Sequence, residues 1–218
     1  MTKEVKIAHL YGDLMNTYGD YGNILVLKYY GKQMGIKVVS KVVSIDDDFK
    51  ASDYDLAILG DGQYFEQSIV AQNMKNKAAE LKKFITTGKP LLAVGQGFQL
   101  LGRYYLTPDK KKIAGLGVMP HYSVQARKQN DLVGNITIED PVNHQQYHGF
   151  SHHQDQTFLG AGEKPLGKII KGEGGNNLKD NLEGAQYQNT YGTYIHSFLA
   201  RNHGFAKNML KLALNKKA

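Results

Sequence analysis

The chain has 218 residues, of which 41 % are hydrophobic and 22 % charged, and its formal net charge is +7. These values are ordinary for a globular protein, and we expect a single α/β domain over residues 1–218. The absence of cysteine excludes disulfides, zinc sites built on thiolates and a cysteine nucleophile. No apolar run reaches about 18 residues and the start lacks a signal-peptide pattern, so we expect a cytoplasmic protein without a membrane span.

The basic excess is scattered, with runs at Lys110 to Lys112 and at the tail. Such runs are most often solvated surface. No basic stripe interleaved with aromatic residues, of the kind that binds single-stranded nucleic acid, stands out in the sequence. We therefore expect no nucleic-acid partner, and the charge is better suited to an acidic protein or a phosphorylated substrate.

The first half alternates between strand-like and helix-like patterns. The strands are rich in β-branched or continuous apolar residues, and the helices carry apolar residues at helical spacing. The predicted strands are residues 5–11, 36–45, 55–62 and 90–97, and the predicted helices are Asn23 to Met34, Phe65 to Thr86 and Phe98 to Tyr105. This order predicts a parallel sheet with helices on both faces.

The second half changes character. Four strand-like runs separated by turn residues predict an antiparallel or mixed extension, and they are VGNITIED, HQQYHGFSHH, GKIIKGEG and EGAQYQNTYGTYIHSF. Apolar residues at helical spacing predict a last helix from Phe205 to Leu214.

Ligands of open parallel sheets bind beyond the carboxyl ends of the strands. There the segment AVGQGFQLLG has the form of a nucleophile elbow, in which a strand turns sharply into a helix and exposes one side chain at the tip. The residue after the tip offers its backbone N–H to an oxyanion. The tip here is Gly95, which has no side chain and cannot attack a substrate.

Other kinds of site are weaker interpretations. Gly95, Gly97 and Gly102 give a GxGxxxxG spacing rather than the dinucleotide fingerprint, and a phosphate loop is absent. A serine hydrolase is not supported, because no serine stands at an elbow in this sequence. Ser197, beside His196, follows a strand. The histidines His144, His148, His152 and His153 could group on a strand as metal ligands, but a solvated or structural histidine face is the better interpretation, and no metal or cofactor is expected.

Several blocks together resemble the class I glutamine amidotransferases of the cobyric-acid-synthase-like (CobB/CobQ-like) group, and most of all the GatD-type glutaminase subunits of lipid II isoglutaminyl synthases. They span nearly the whole chain and include LYGDLMNTYGDYGNILVLK, LGDGQYFEQ, AVGQGFQLLG, HGFSHH, KPLGKIIKGEGGNN and EGAQYQNTYGTYIHSFL. The resemblance implies a flavodoxin-like fold with a mostly parallel central sheet. It also implies ammonia release from glutamine for a Mur-ligase-like, ATP-dependent partner that amidates the D-glutamate of lipid II.

The resemblance also implies roles for particular residues. His196 matches the family's catalytic histidine, Arg127 matches its glutamine-binding arginine, and Gly95 stands where the family has its cysteine nucleophile. The oxyanion loop matches Gly60, Asp61 and Gly62.

Departures from the family's pattern surround these positions. Gln96 stands where a small glycine is usual, Ser151 replaces a glutamate, and SFLARNH differs from the family's stretch after the histidine. The acidic side chain of Asp61 would oppose a developing oxyanion.

Three hypotheses follow. The first is a natural amidotransferase subunit that keeps the fold and the partner but does not hydrolyse glutamine. The second is an active glutaminase in which Gly95 is an engineered substitution. The third is a binding module that reuses the pocket for an amino acid or carboxylate, with Arg127 and Asp20 as binding groups.

Overall fold

The computed structural model describes residues 3–107, 109–125 and 132–215. The five α-helices of this part of the chain are α1 (Tyr21–Gln33), α2 (Tyr64–Thr86), α3 (Gln96–Leu101), α4 (Phe198–Arg201) and α5 (His203–Asn215). The strands of the first half are β1 (Lys3–Leu10), β2 (Ile36–Val43), β3 (Leu56–Leu59), β4 (Leu91–Val94), β5 (Tyr104–Leu106) and β6 (Lys112–Ala114). Those of the second half are β7 (Tyr122–Val124), β8 (Leu132–Glu139), β9 (Gln146–His153), β10 (Gln156–Phe158), β11 (Gly167–Gly172), β12 (Leu182–Glu183), β13 (Ala185–Tyr187), β14 (Thr190–Thr193) and β15 (Ile195–His196).

A six-stranded central sheet carries the fold, with strand order β13-β14-β4-β3-β1-β2. All neighbouring pairs are parallel except β13 with β14, which places an antiparallel strand at one edge. The strands β3 and β4 are buried at every position, as expected for parallel strands covered on both faces. The predicted α/β class with a mostly parallel central sheet is confirmed.

Two hydrophobic clusters form the core, one on each face of this sheet. Alternate residues of β1 divide between them, because successive side chains of a strand point to opposite faces. Leu10 belongs to the cluster that also contains Phe84 of α2, and Ile7 belongs to the cluster with Leu27 of α1 and Met209 of α5. The helices α2 and α5 therefore cover opposite faces of the sheet.

The second half adds two smaller sheets. The first is a five-stranded sheet with order β12-β11-β8-β9-β15, and all its strand pairs are antiparallel. The second has order β10-β7-β5-β6 and is mixed. The five-stranded sheet matters for the site because its last strand, β15, ends at His196.

The helix predicted over Phe98 to Tyr105 is wrong in its bounds. The structure begins α3 at Gln96 and ends it at Leu101, and Tyr104 and Tyr105 belong to strand β5. Gly102 adopts an extended conformation after the helix, and the next residues pair with the later strands β6 and β7. Pairing in the small sheet therefore decides their structure, which local spacing could not predict.

Candidate functional site

The carboxyl ends of four central strands converge on one region. The segment after β1, the glycine turn after β3, the elbow after β4 and the bend after β14 all lie there. The structure brings together Gly95, His196, Asp61 and Gln96, which the sequence analysis predicted as site residues. Arg127, the predicted glutamine-binding residue, lies outside the described residues.

Gly95 adopts the backbone conformation of an elbow tip. Its φ of 56° and ψ of −122° are strained for a residue with a side chain. Its N–H donates to the carbonyl of Thr193 at 2.9 Å, which ties the elbow to β14. Two residues on, a Cβ at Gly97 would lie 2.5 Å from the carbonyl oxygen of Gly60. Glycine is therefore required there for α3 to approach the turn after β3.

The side chain of Asp61 occupies the space in front of the elbow. A Cβ added at Gly95 would lie 2.2 Å from both Cγ and Oδ2 of Asp61. The carboxylate oxygen Oδ1 accepts the backbone N–H of Gln96 at 2.8 Å and that of Gly62 at 2.9 Å. The N–H after an elbow tip is one that an oxyanion would use. A carboxylate from the chain itself thus takes both the volume of a nucleophile side chain and this N–H donor.

Burial changes the acid–base properties of this carboxyl group. Asp61 is only 5 % exposed, and burial raises its pKa to about 7, partly opposed by the Gln96 N–H and reinforced by the nearby Asp20. Asp20 accepts the N–H of Asp61 at 2.7 Å, and burial raises its own pKa to about 6. The two carboxyl groups are therefore poorly solvated acids next to the elbow.

His196 faces Asp61 but makes no hydrogen bond with it. Its Nε2 lies 3.7 Å from Oδ2 of Asp61, and its buried Nδ1 has no partner among the described residues. Burial lowers the pKa of His196 to about 4, so the ring is neutral at neutral pH. The ring of Tyr18 lies over the imidazole with a centroid distance of 4.2 Å, and its hydroxyl is 2.7 Å from Nδ1 of His152.

A cavity of about 310 Å³ opens beside the elbow. Most of the residues that line it have polar side chains, and the lining consists of Gly95, Gly62, Gln63, Gln96, Gln99, Gln154, Asp61, Asp155, His152, His153, Tyr18, Tyr64 and Tyr194. Asp155 accepts hydrogen bonds from Tyr64 at 3.0 Å and from Gln99 at 3.0 Å. A larger and more open cleft of about 550 Å³ lies between segment 45–52 and α2, away from these residues.

The remaining predicted positions support the walls of the site. The side-chain nitrogen of Gln96 donates to the carbonyls of Gly62 and Gln63 at 2.9 Å in the amide orientation that satisfies both. Gly60 packs against Asp20 and against α3. Ser151 is fully buried and its hydroxyl donates to the carbonyl of Leu132. It therefore acts within the five-stranded sheet and not in the cavity.

The histidines lie in different surroundings. His148 and His152 share the exposed face of β9, His144 lies in the turn before it, and His153 stacks on Tyr194 at 3.7 Å. Burial lowers the pKa of His153 to about 3. Across residues 3–107, 109–125 and 132–215, no group of three or more histidine or carboxylate side chains is arranged to hold a metal ion.

Glu183 is a supporting residue that the sequence analysis missed. It is fully buried and accepts hydrogen bonds from the N–H of Tyr194 at 2.7 Å and from the hydroxyl of Thr193 at 3.0 Å. Burial raises its pKa to about 7. It therefore fixes the bend between β14 and β15 that brings His196 to the elbow. The available signal in the sequence was the position of Glu183, which stands directly before Gly184 at the start of the block EGAQYQNTYGTYIHSF.

A strand-to-helix elbow that faces a glycine turn and a histidine at the carboxyl ends of this sheet defines the class I glutamine amidotransferase fold. The structure of PurLQS from Thermotoga maritima has that fold, with a TM-score of 0.66 at 15 % identity over 100 % of both chains. A second solved structure, described as a glutamine amidotransferase, gives a TM-score of 0.61 at 15 % identity, over 94 % of this chain and 98 % of the other.

The chain belongs to the CobB/CobQ-like glutamine amidotransferase family, whose domain matches residues 6–204. It is 44 % identical over 215 residues to the GatD subunit of the glutamine-hydrolysing lipid II isoglutaminyl synthase of Streptococcus pneumoniae, covering 98 % of this chain and 82 % of that protein. It is 33 % identical to the GatD subunit from Staphylococcus aureus, covering 98 % of this chain and 86 % of that protein. The resemblance stated from the sequence blocks is confirmed. Across the described residues, no helix has the length and apolar character needed to cross a membrane.

Proposed function

We propose that this chain is the amidotransferase-like subunit of a lipid II isoglutaminyl synthase and that it does not hydrolyse glutamine. Its partner is a Mur-ligase-like subunit that activates the D-glutamate carboxylate of lipid II with ATP, and ammonia then converts that carboxylate to an amide. The similarity to two GatD subunits over 98 % of the chain supports the assembly.

One observation supports the loss of hydrolysis most directly. The carboxylate of Asp61 fills the position of a nucleophile side chain and accepts the N–H of Gln96. Glutamine hydrolysis needs a nucleophile to attack the carboxamide and free N–H donors to stabilise the oxyanion. This site lacks the first, because residue 95 is glycine, and its Gln96 donor is already used.

The same observation weighs against an engineered change at residue 95. A cysteine there would overlap Asp61 as it is placed, so Gly95 and Asp61 fit each other as a pair. A single engineered substitution changes one residue and leaves its neighbours adapted to the original side chain. The alternative of an active glutaminase that lost only its cysteine is therefore disfavoured.

The second candidate is a binding module that uses the cavity beside the elbow. The cavity volume of about 310 Å³ and its amide and hydroxyl groups suit a small polar molecule such as an amino acid. Isothermal titration calorimetry with glutamine, glutamate and aspartate tests it. Absence of heat with all three removes this candidate and leaves the partner-binding role.

The deciding experiment co-expresses the chain with the ligase subunit encoded in the same genome. We expect co-purification, no glutamate release from glutamine, and amidation of lipid II with ammonium chloride but not with glutamine. A cysteine-containing GatD subunit with its own ligase is the positive control for glutamine use. Glutamate release at the rate of that control would overturn the loss of hydrolysis, and failure to co-purify would overturn the assembly.

A further inference from the structure

The small sheet β10-β7-β5-β6 presents an unusual outward face. In its strands β5, β7 and β10 the middle residues Tyr105, Ser123 and Thr157 are buried towards the core. Because side chains alternate along a strand, the residues on either side of them point outward. The outward face of a half-buried sheet is usually polar, whereas this one carries three aromatic rings.

These rings form a continuous row across three strands. Tyr104 and Tyr122 are paired in register, as are Tyr122 and Phe158. The ring centroids are 5.3 Å apart in the first pair and 5.2 Å in the second, with the ring planes only 20° and 23° from parallel. Each ring is half-buried, so part of the row stays accessible from the outward side of the sheet.

Basic side chains close both ends of the row. The Nζ of Lys112 lies 4.0 Å from the Tyr104 ring centroid, and the guanidinium of Arg103 lies 5.8 Å from it. The Nζ of Lys179 lies 5.4 Å from the centroid of Phe158. We name this surface the aromatic–basic face and define it by Tyr104, Tyr122, Phe158, Arg103, Lys112 and Lys179.

Further charges surround the aromatic–basic face. Lys110 and Lys111 are exposed and precede β6. With Arg103, Lys112 and Lys179 they give five basic side chains, against the two acidic side chains of Asp109 and Asp180, which leaves a net of three positive charges among these seven residues.

We propose that the aromatic–basic face binds the surface of an anionic lipid bilayer. Tyrosine and lysine side chains combine an apolar body with a polar end, which suits the boundary between headgroups and acyl chains. Clustered basic residues are attracted to anionic headgroups. Phosphate-rich headgroups thus match both the charge and the amphipathic character of this surface.

The ring geometry favours lipid over single-stranded nucleic acid. Bases bind by stacking on a free aromatic face. In this row the inner ring faces contact neighbouring rings, and the two outer faces are covered by Lys112 and Lys179. No ring of the row offers a base an open platform.

Vesicle flotation of the purified full chain tests the proposal independently of glutamine chemistry and of the ligase partner. The probes are phosphatidylcholine vesicles with and without phosphatidylglycerol as about a third of the lipid, at low and high salt. We expect binding to the anionic vesicles alone and its loss at high salt. Each basic side chain near such a surface strengthens partitioning about fivefold.

The variant pair Lys111→Gln with Lys112→Gln should therefore weaken partitioning roughly 25-fold. The matched control, Lys207→Gln with Lys211→Gln, removes the same charge from exposed positions of α5 on the opposite side of the central sheet. It should change partitioning less than about threefold. Circular dichroism confirms that both variants are folded.

Three results would overturn the proposal. One is the absence of binding to anionic vesicles by the unmodified chain. Another is an equal loss in both variant pairs, which would show that net charge alone matters. The third is binding to a single-stranded oligonucleotide with no binding to vesicles, which would assign the face to nucleic acid.

Discussion

Restoring a cysteine at the elbow by itself is expected to damage the protein. In Gly95→Cys the new Cβ would lie 2.2 Å from the Cγ of Asp61, far inside van der Waals contact. The carboxylate must then move away from the N–H groups of Gln96 and Gly62. We expect a less stable protein without glutaminase activity, because the displaced carboxylate stays near the elbow.

The size of the effect follows from the contacts that are lost. Two hydrogen bonds to a charged acceptor contribute about 1.5–3 kcal/mol each. A side chain at a positive φ adds about 1–2 kcal/mol of strain. Release of the poorly solvated Asp61 carboxyl offsets part of this loss, so we expect the free energy of unfolding to fall by about 4 kcal/mol. In the double variant Gly95→Cys with Asp61→Gly only the backbone strain remains, about 1–2 kcal/mol.

Urea unfolding followed by circular dichroism measures stability, and glutamate release measures activity. The double variant should be more stable than Gly95→Cys and should release glutamate, since His196 remains beside the elbow. The matched control is Gly95→Ala with Asp61→Gly, which carries the same Cβ without a sulfur and should fold equally well without activity. If Gly95→Cys is as stable as the unmodified chain, or if removing Asp61 does not rescue it, the steric argument is wrong.

Three further predictions concern single residues. Burial raises the pKa of Asp61 from an ordinary value of 3.8 to about 7, so the folded state binds the extra proton and the free energy of unfolding falls as pH rises through that window. Asp61→Asn removes this titration, so its free energy of unfolding should rise relative to that of the unmodified chain as pH increases, by on the order of 4 kcal/mol above the window. A series of urea unfolding curves across pH measures the difference. Parallel pH profiles of the two proteins would contradict the raised pKa. Gly97→Ala should lower the free energy of unfolding by about 1–3 kcal/mol, because its Cβ meets the Gly60 carbonyl. The control Gly22→Ala in α1 meets nothing within 4 Å and should raise the free energy of unfolding by up to about 1 kcal/mol in the same assay. Glu183→Ala should lower the free energy of unfolding by about 3 kcal/mol, and Glu183→Gln by less than half of that, because glutamine keeps an acceptor oxygen. Equal losses would show that the hydrogen bonds of Glu183 do not stabilise the bend.

The sequence predicted the central sheet well because its signals are local. The runs that form β1 to β4 are continuous or β-branched apolar segments, and the helices α2 and α5 show regular apolar spacing. The elbow at Gly95 was likewise visible, since small residues surround a strand-to-helix turn. The family resemblance, now confirmed over residues 6–204, implied that Gly95, His196 and the turn at Gly60 to Gly62 belong to one site.

Features that depend on distant pairing were not predicted. Tyr104, Tyr122 and Phe158 are separated by 18 and 36 residues in the chain and become neighbours only through strand register. The basic residues therefore look scattered in the sequence, whereas the structure has an aromatic–basic face. The acidic character of Asp61 predicted that it would oppose an oxyanion. That its carboxylate fills the elbow depends on the relative placement of β3 and β4, which the sequence does not show.

The fit between Gly95 and Asp61 has a consequence for the evolutionary history of such a chain. A mutation that restores cysteine meets the carboxylate, and a mutation that removes the carboxylate yields no nucleophile. Under the proposed function, neither step alone would improve glutamine use, so a gain of glutamine hydrolysis would require both changes together. On that proposal, a lineage with this pair of residues is expected to depend on ammonia from another source for as long as it keeps this subunit.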